Sequence, residues 1–178
     1  MKKYLIGTIK AAKDNRYPAW ASTIERDRDG DVIRPEAFTA TLGQYLKTNP
    51  VILLGHDMFG LPVGKAVDGK IVKSQGVQID IEFAETDLGK EVRYLVDNGF
   101  LNTLSVGFLP KAWEQLPEGG HDYTDVDLLE VSVVTVPSNA AATIIRQAKA
   151  KGVALPNFAD LYGIKRERAI ALADRALV

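Results

Sequence analysis

The spacing of apolar residues changes along the chain, and each spacing predicts a different element. Apolar and polar residues alternate from Gly76 to Phe83, which is typical of a strand with one buried face. The compact apolar run Val51–Leu54 is typical of a buried strand. Apolar residues at helical spacing predict a helix over Thr86–Asn98, whose polar first residues can cap the first turn and which Gly99 can end.

The remaining segments predict a sheet-rich body followed by a tail. Further strands are predicted over 4–10, 17–24, 62–67, 101–109 and 128–136, and further helices over 38–46, 140–150 and 165–177. Residues 110–127 are polar and carry a proline and two adjacent glycines, so this stretch is predicted to be a loop or a hairpin. Many strands with a few helices favour an α+β or barrel-like fold. We predict one folded domain over residues 1–150 and a helical C-terminal tail over residues 151–178, which begins with a linker-like stretch at 152–157.

Composition is that of an ordinary globular protein and excludes several classes of function. The 178 residues are 46% hydrophobic, which is enough for one sizeable core. The 22 basic and 23 acidic residues give a formal net charge of −1 without a basic stripe, so nucleic acid is not expected as a partner. No stretch reaches the ~18 apolar residues of a membrane span, and the N-terminal apolar run is too short for a signal peptide, so a cytoplasmic location is expected. The absence of cysteine excludes disulfides, thiolate catalysis and cysteine-ligated metals.

Three polar residues at apolar strand segments are the candidates for chemistry. His56 directly follows a buried-strand pattern, and Ser105 and Glu130 each lie inside a strand-like segment. Strands hold their side chains rigidly, which a nucleophile and a base require. A serine hydroxyl becomes a good nucleophile only beside a base such as imidazole, and the imidazole needs an acceptor that fixes its tautomer. Ser105, His56 and Glu130 can supply these three roles in that order.

Residue types alone leave structural roles open at the same positions. A serine in a strand commonly does no more than satisfy local hydrogen bonds, and a histidine after a strand is commonly structural. Burying a carboxylate costs free energy, so Glu130 is expected either to face water or to have a partner. Ser132 lies two residues from Glu130 and therefore on the same side of a strand, which makes it a rival nucleophile or a support for the site. His121, the second of only two histidines, lies in a Gly-rich polar segment and is expected at the surface.

Two patterns suggest a metal site, but neither has the full set of ligand positions that such a site requires. Asp27, Asp29 and Asp31 mimic the start of a calcium loop, but the sixth loop position is Val32 instead of Gly and the twelfth is Phe38 instead of Glu. The two His-Asp dipeptides of the chain do not form a ligand motif. A solvated turn is the better account of the three aspartates, and no metal is expected.

Four segments of the chain carry more specific combinations of residues. They are Asp29-Gly30-Asp31-Val32-Ile33 with Ala37-Phe38, Leu53-Leu54-Gly55-His56-Asp57 with Pro62-Val63-Gly64, Leu101 to Phe108, and Leu129 to Pro137 with Asn139 and Ala141. In this order they resemble the prohead protease family of tailed bacteriophages, whose fold is similar to that of the herpesvirus assemblin proteases. The resemblance spans roughly residues 27–145. Each segment by itself is a weak signal, and four in the right order are fairly specific.

The resemblance implies a fold and a role for each candidate residue. It implies an α+β fold with a mostly antiparallel, barrel-like sheet flanked by helices. It implies Ser105 as the nucleophile, His56 as the general base and Glu130 as the third member, at a strand where the assemblin proteases use a histidine; His121 is the alternative third member. Backbone N–H groups must hold the oxyanion of the tetrahedral intermediate, and the turn Ser138–Ala140 is a candidate source because Pro137 has no N–H.

The resemblance also implies a biological setting. It implies a serine endopeptidase that cleaves scaffold and capsid protein segments inside an assembling procapsid, in the host bacterial cytoplasm, with self-association and self-cleavage and without a cofactor. One alternative is a catalytically inactive capsid assembly or scaffold protein on the same fold. The presence of both His56 and Ser105 argues against that alternative. A hydrolase of another acyl substrate is the second alternative.

Overall fold

The computed structural model describes residues 16–145, which form one mixed sheet, two α-helices and a short 3₁₀ helix over Pro35–Phe38. The strands are β1 Arg16–Thr23, β2 Val32–Ile33, β3 Val51–Leu54, β4 Gly64–Val72, β5 Gly76–Phe83, β6 Thr103–Gln115 and β7 His121–Val134. The α-helices are α1 Leu42–Thr48 and α2 Asp87–Asp97. The described residues therefore have the mixed α+β class that the sequence predicts.

Strand β7 lies at the centre of the part of the sheet that carries the candidate residues. The strand order is β1-β5-β4-β3-β7-β2. Strand β6 pairs with β7 on the edge opposite to β2 and β3. The β1–β5, β5–β4, β4–β3 and β6–β7 pairs are antiparallel, whereas β2 and β3 run parallel to β7. The sheet is thus mostly antiparallel, as expected, although both parallel pairs involve β7.

A short segment after β7 makes the sheet curl. The Thr143 carbonyl accepts a hydrogen bond from Trp20 N of β1 at 2.9 Å, and the Ala142 carbonyl accepts one from Leu104 N of β6 at 2.9 Å. The segment 142–145 therefore lies between β1 and β6 and bends the sheet into a half-barrel. The prediction of a helix over 140–150 is wrong for its described part, because these main-chain groups bond to two strands instead of to one another.

The two clearest sequence patterns give the predicted elements. The apolar residues of β5 are buried and its polar residues are half-buried, as the alternation requires. Helix α2 buries Val92 and Val96, and the Thr86 hydroxyl caps it by accepting a hydrogen bond from Gly89 N at 3.2 Å. Gly99 follows the helix at a φ of 82°, the left-handed conformation expected after a helix end.

Two other segments differ from the prediction in extent. The helix predicted over 38–46 is divided between the 3₁₀ helix and α1, which begins only at Leu42. The polar stretch 110–127 is a hairpin: β6 and β7 pair as far as Gln115 and His121, and the turn between them contains Gly119 and Gly120 at positive φ. This end of the hairpin is solvated on β6, where residues 109–115 are all exposed, so polar residues are compatible with long strands there.

Several predictions lie outside the described residues. They are the strand over 4–10, the linker at 152–157, the helix over 165–177 and hence the whole C-terminal tail 151–178. Between residues 16 and 145, no helix is long and apolar enough to cross a membrane.

Candidate active site

Strand β7 brings the candidate residues together from three strands. Ser132 of β7 pairs with Leu53 of β3 on one side and with Ser105 of β6 on the other. Residues directly opposite each other in adjacent strands have Cβ atoms about 5 Å apart. His56 follows β3 by two residues and its N–H donates to Ser132 Oγ at 3.1 Å, so Ser105 and His56 approach Ser132 from opposite sides of β7.

The imidazole of His56 is paired with the carboxylate of Glu130. His56 Nδ1 and Glu130 Oε1 are 2.7 Å apart, the distance of a strong charge-assisted hydrogen bond. The Glu130 side chain is only 5% exposed, whereas the His56 side chain is 44% exposed. A buried carboxylate therefore accepts the Nδ1–H of a ring that reaches solvent. Among the described residues Nε2 has no hydrogen-bond partner, so it is free to accept a proton.

The backbone turn after β3 sets the position of His56. Gly55 N donates to the Val133 carbonyl at 2.9 Å, which continues the β3–β7 pairing up to Gly55. Gly55 and His56 then both adopt the left-handed conformation, with φ of 64° and 62°. This conformation is unfavourable for a residue with a Cβ, and it ends the strand and turns the His56 side chain back towards β7. Asp57 stabilises the following loop, since its Oδ1 accepts hydrogen bonds from Phe59 N and Gly60 N at 3.0 Å each.

A glycine on β6 makes room for the carboxylate of Glu130. Gly107 lies opposite Glu130 in the β6–β7 ladder. A Cβ at position 107 would lie 2.3 Å from Glu130 Oε1, well inside any real contact distance. Gly107 is not among the candidate residues that the sequence pattern indicates. The available signal is a lone glycine inside a strand pattern, which indicates close approach of another group.

Ser132 is a member of the same cluster but is not accessible. Its Oγ donates to Glu130 Oε2 at 2.5 Å and accepts from His56 N at 3.1 Å, and the residue is completely buried. A nucleophile must reach the carbonyl of a substrate, which a buried hydroxyl engaged in two hydrogen bonds cannot do. Of the two roles that the sequence left open for Ser132, the geometry favours support.

Ser105 lies at the edge of a cavity. The residue is half-buried, and its hydroxyl makes no hydrogen bond within residues 16–145. It lines a cavity of about 200 Å³ together with residues of β1, the turn 27–31 and the turn Ser138–Asn139. Catalytic hydrogen bonds are often long without substrate and tighten only in the complex, so a free serine beside a cavity suits a nucleophile.

The turn that was a candidate for the oxyanion hole lies at the same cavity. Ser138 and Asn139 line it with Ser105. Asn139 fixes the turn, since its Nδ2 donates to the Thr23 carbonyl at 2.9 Å and its Oδ1 accepts from Ala141 N at 3.1 Å. Backbone N–H groups of a fixed turn beside a serine hydroxyl are suited to hold a developing negative charge.

His121 is distant from this cluster. It is the first residue of β7, nine positions before Glu130 on one continuous strand, so the two lie about 25–30 Å apart at ~3.3 Å per residue. His121 is 43% exposed and bonds to Asp31, with Oδ1 accepting from His121 N at 2.7 Å and lying 3.2 Å from Nδ1. His121 is therefore partly exposed, as expected, but it also has a structural role, because its hydrogen bonds to Asp31 join the hairpin to the turn 27–31.

The three aspartates of the calcium-like segment are used by the turn itself. Asp27 Oδ1 accepts hydrogen bonds from Asp29 N and Asp31 N at 2.9 Å each. Partial burial raises the pKa of Asp27 above its ordinary value. The Ser138 hydroxyl donates to Asp29, which ties this turn to the turn after β7. Within residues 16–145, no group of three or more acidic or histidine side chains has the arrangement of a metal site.

Comparisons with known proteins agree with the resemblance. Residues 12–155 match the family described as caudovirus prohead serine protease. The prohead protease of Escherichia phage T5 is 38% identical over 128 residues, which are 70% of this chain and 59% of that protein. The capsid polyprotein of Pseudomonas phage PAJU2 is 27% identical over 146 residues, 76% of this chain and 21% of that protein. The chain thus spans less than two thirds of either relative, and no solved structure matches it.

Proposed function

The chain belongs to the caudovirus prohead serine protease family, and we propose that it is a serine endopeptidase with Ser105 as nucleophile, His56 as general base and Glu130 as the third member. The observation that carries the proposal is the 2.7 Å pair of His56 Nδ1 with the buried Glu130 carboxylate. That pair fixes the neutral ring as the Nδ1–H tautomer and leaves Nε2 as the basic atom.

The proposed reaction proceeds through an acyl-enzyme. Ser105 Oγ attacks the scissile carbonyl carbon while His56 Nε2 takes the hydroxyl proton. Glu130 stabilises the imidazolium through the Nδ1–H bond, and His56 then gives the proton to the leaving amine. Water releases the acyl group by the same steps in reverse order. N–H groups of the turn Ser138–Ala140 stabilise the oxyanion, and no cofactor takes part.

The preference for Ser105 over Ser132 rests on access. Ser132 is completely buried and donates its hydroxyl proton to Glu130, whereas Ser105 lines a cavity. Because the Ser132 hydroxyl proton is already bonded to Glu130, Ser132 can hold the carboxylate in place, but it is not positioned to give that proton to His56 as a nucleophile would. The two serines face each other across one pair of strands, so both can belong to one site with different roles.

The names of the relatives support a substrate class. One relative is a prohead protease and the other is a capsid polyprotein. We propose that the substrates are capsid and scaffold protein segments in the assembling procapsid, in the cytoplasm of the host bacterium. Self-cleavage and self-association are part of the same proposal. The half-barrel with its two helices supports a fold similar to the assemblin proteases, and the proposed protease domain covers residues 1–150, with a separate tail over 151–178.

A capsid assembly protein without activity is the second candidate function. The name of the capsid polyprotein is the observation in its favour. Against it stands the buried Glu130, because an ionisable side chain in this position costs free energy that a purely structural protein gains nothing by keeping.

Co-expression with the capsid and scaffold proteins of the same virus tests the proposal. The parent chain should give defined fragments by intact mass, and Ser105→Ala should give none while keeping the parent circular dichroism and melting temperature. His56→Ala should lower the rate by several orders of magnitude, up to roughly 10⁶-fold. His121→Ala is the matched control and should stay within a few-fold of the parent. Fragments of unchanged yield from Ser105→Ala would refute the assignment of the nucleophile.

A further inference from the structure

We propose that Ser132 is a positioning residue that fixes both the base and the acid of the site through one hydroxyl group. Its Oγ accepts a hydrogen bond from His56 N at 3.1 Å and donates one to Glu130 Oε2 at 2.5 Å. This inference rests on the proposed function, in which His56 is the general base and Glu130 is the acid that orients it.

The first contact holds the backbone of the base. His56 is one of two non-glycine residues with positive φ in the described part of the chain. A left-handed residue with a Cβ persists only when its surroundings over-determine it. Successive N–H groups of a strand point to opposite sides, so after Gly55 N, which bonds to the Val133 carbonyl, the β3–β7 ladder offers no carbonyl to His56 N. The Ser132 hydroxyl oxygen is the acceptor that His56 N uses instead.

The second contact orients the carboxylate of the acid. Glu130 Oε1 faces His56 Nδ1 and Oε2 faces Ser132 Oγ, so each oxygen has its own donor. Two donors on different oxygens fix the rotation of the carboxylate plane, which one donor cannot do. The cost of burying the carboxylate falls as well, because charge-assisted hydrogen bonds replace those of water.

A single hydroxyl is chemically suited to both contacts. It has one O–H donor and two acceptor lone pairs, so it can donate to Glu130 while it accepts from His56. The backbone N–H, the hydroxyl and the carboxylate then form a chain of bonds that all point in one direction. Alanine at position 132 would break both contacts, and threonine would add a methyl group at a completely buried position.

The imidazole nitrogens report this role without any substrate. We suggest ¹⁵N spectra of the full chain at a pH where the rings are neutral, in a Ser105→Ala background that prevents self-cleavage. The chain has only two histidines, so His121, bonded to Asp31 at the far end of β7, is an internal reference. With Ser132 present, His56 should be the Nδ1–H tautomer. Ser132→Ala should give a mixture of both tautomers for His56 and leave the His121 signals unchanged.

A second buried hydroxyl provides the matched control. Thr41 Oγ1 donates to the Val126 carbonyl at 3.1 Å and accepts from Leu128 N at 3.4 Å, so it also bridges to β7 but outside the site. Thr41→Val should lower the melting temperature and leave the His56 spectrum as in the parent. On the otherwise unchanged chain, Ser132→Ala should lower the cleavage rate by about 10²-fold, the loss typical of a small misplacement of reacting groups.

The outcomes separate this inference from the proposed function. A folded Ser132→Ala chain with the parent His56 spectrum would overturn the inference, even if Ser105→Ala abolishes cleavage. If Ser132→Ala does not fold, Ser132→Cys retains a side chain of similar shape with a weak donor, and it should shift the tautomer population in the same direction. An unchanged His56 spectrum in that variant would equally overturn the inference. Persistent cleavage by Ser105→Ala would instead refute the nucleophile assignment, whatever the spectra show.

Discussion

Glu130 is the residue whose environment is most demanding, because its carboxylate is buried in the mainly apolar C-terminal part of β7. Val131 and Val133 on the same strand are completely buried, and the Glu130 side chain is 5% exposed. Each carboxylate oxygen has one donor, from His56 and from Ser132. Removing either donor would leave a buried charge with half of its hydrogen bonds, which is a strongly unfavourable state.

The change Glu130→Gln tests what this carboxylate does. The amide keeps the shape but presents an NH₂ group where one of the two donors needs an acceptor, and it cannot stabilise the imidazolium. We expect the cleavage rate to fall by about 10⁴-fold, the loss seen when the acid of a triad becomes its amide. Turnover and melting temperature should be measured on the same preparation. A variant with full activity per folded molecule and only a lower melting temperature would remove Glu130 from the mechanism.

At the scale of elements, the antiparallel β6–β7 pair determines which residues can meet. Its register places Ser105 opposite Ser132 and Gly107 opposite Glu130. Side chains alternate between the two faces of a strand, so these four residues share one face, and a shift of β6 by one residue would place Ser105 on the opposite face from Glu130. The register is therefore a requirement of the proposed site.

Gly107→Ala tests this close approach between the two strands. The added Cβ would lie 2.3 Å from Glu130 Oε1, so the carboxylate must leave His56 or the strands must separate. We expect a loss of stability of about 1–3 kcal/mol by urea unfolding, as for other overpacked sites, together with loss of most of the cleavage activity.

Gly43→Ala is the matched control for this substitution. Gly43 lies in α1, and a Cβ there would have no neighbour within 4 Å. Alanine is preferred to glycine in helices, so this variant should gain up to about 1 kcal/mol and keep its activity. If Gly107→Ala behaved like Gly43→Ala, the close contact with Glu130 would have no importance for the site.

At the scale of the whole molecule, a hydrogen bond at the surface joins a strand and a helix that are far apart in the chain. The Tyr17 hydroxyl on β1 donates to Asp97 Oδ1 on α2 at 2.9 Å, and its ring packs edge-on against Phe83 of β5. Burial, with the bond to Asp97, raises the pKa of Tyr17 to about 12. Burial also raises the pKa of Tyr45 on α1.

The raised pKa of Tyr17 predicts how stability depends on alkaline pH. An unfolded tyrosine loses its proton near pH 10, whereas folded Tyr17 retains it up to about pH 12. Unfolding therefore releases a proton between these values, and the contribution of Tyr17 is fully present below pH 10 and lost as the pH rises to about 12. The Tyr17→Phe variant lacks this pH-dependent contribution, so its free energy of unfolding should fall less steeply than that of the parent chain between pH 10 and pH 12.

Urea unfolding at pH 8, 10 and 11 measures the effect. Tyr94→Phe is the control, because the Tyr94 side chain is 62% exposed and meets water in both states. Its pH dependence should match that of the parent chain. A Tyr17→Phe variant with the parent slope between pH 10 and pH 11 would contradict the raised pKa of the Tyr17 phenol.

The sequence by itself determined the elements with strong periodic patterns and named the candidates for the reactive side chains. The alternating burial of β5 and the apolar face and N-terminal cap of α2 involve residues only two to four positions apart, so the local sequence predicts them directly. With only two histidines and no cysteine, the choice of a base was already narrow, and His56, Ser105 and Glu130 were named without coordinates. The segment 142–145 could not be predicted in this way, because its hydrogen bonds go to strands about 40 and 125 residues earlier in the chain.

Only the tertiary structure decided which of these residues meet. His56 and Glu130 are separated by 74 positions, and their contact depends on the parallel pairing of β3 with β7, which no local pattern encodes. The same pairing buried Ser132 between His56 and Glu130 and left His121 at the far end of the strand. The β6–β7 register shows why position 107 is a glycine: it places this residue directly against the Glu130 carboxylate. Distances between distant segments result from the packing of the whole sheet, so the sequence supplied the groups and the fold supplied their geometry.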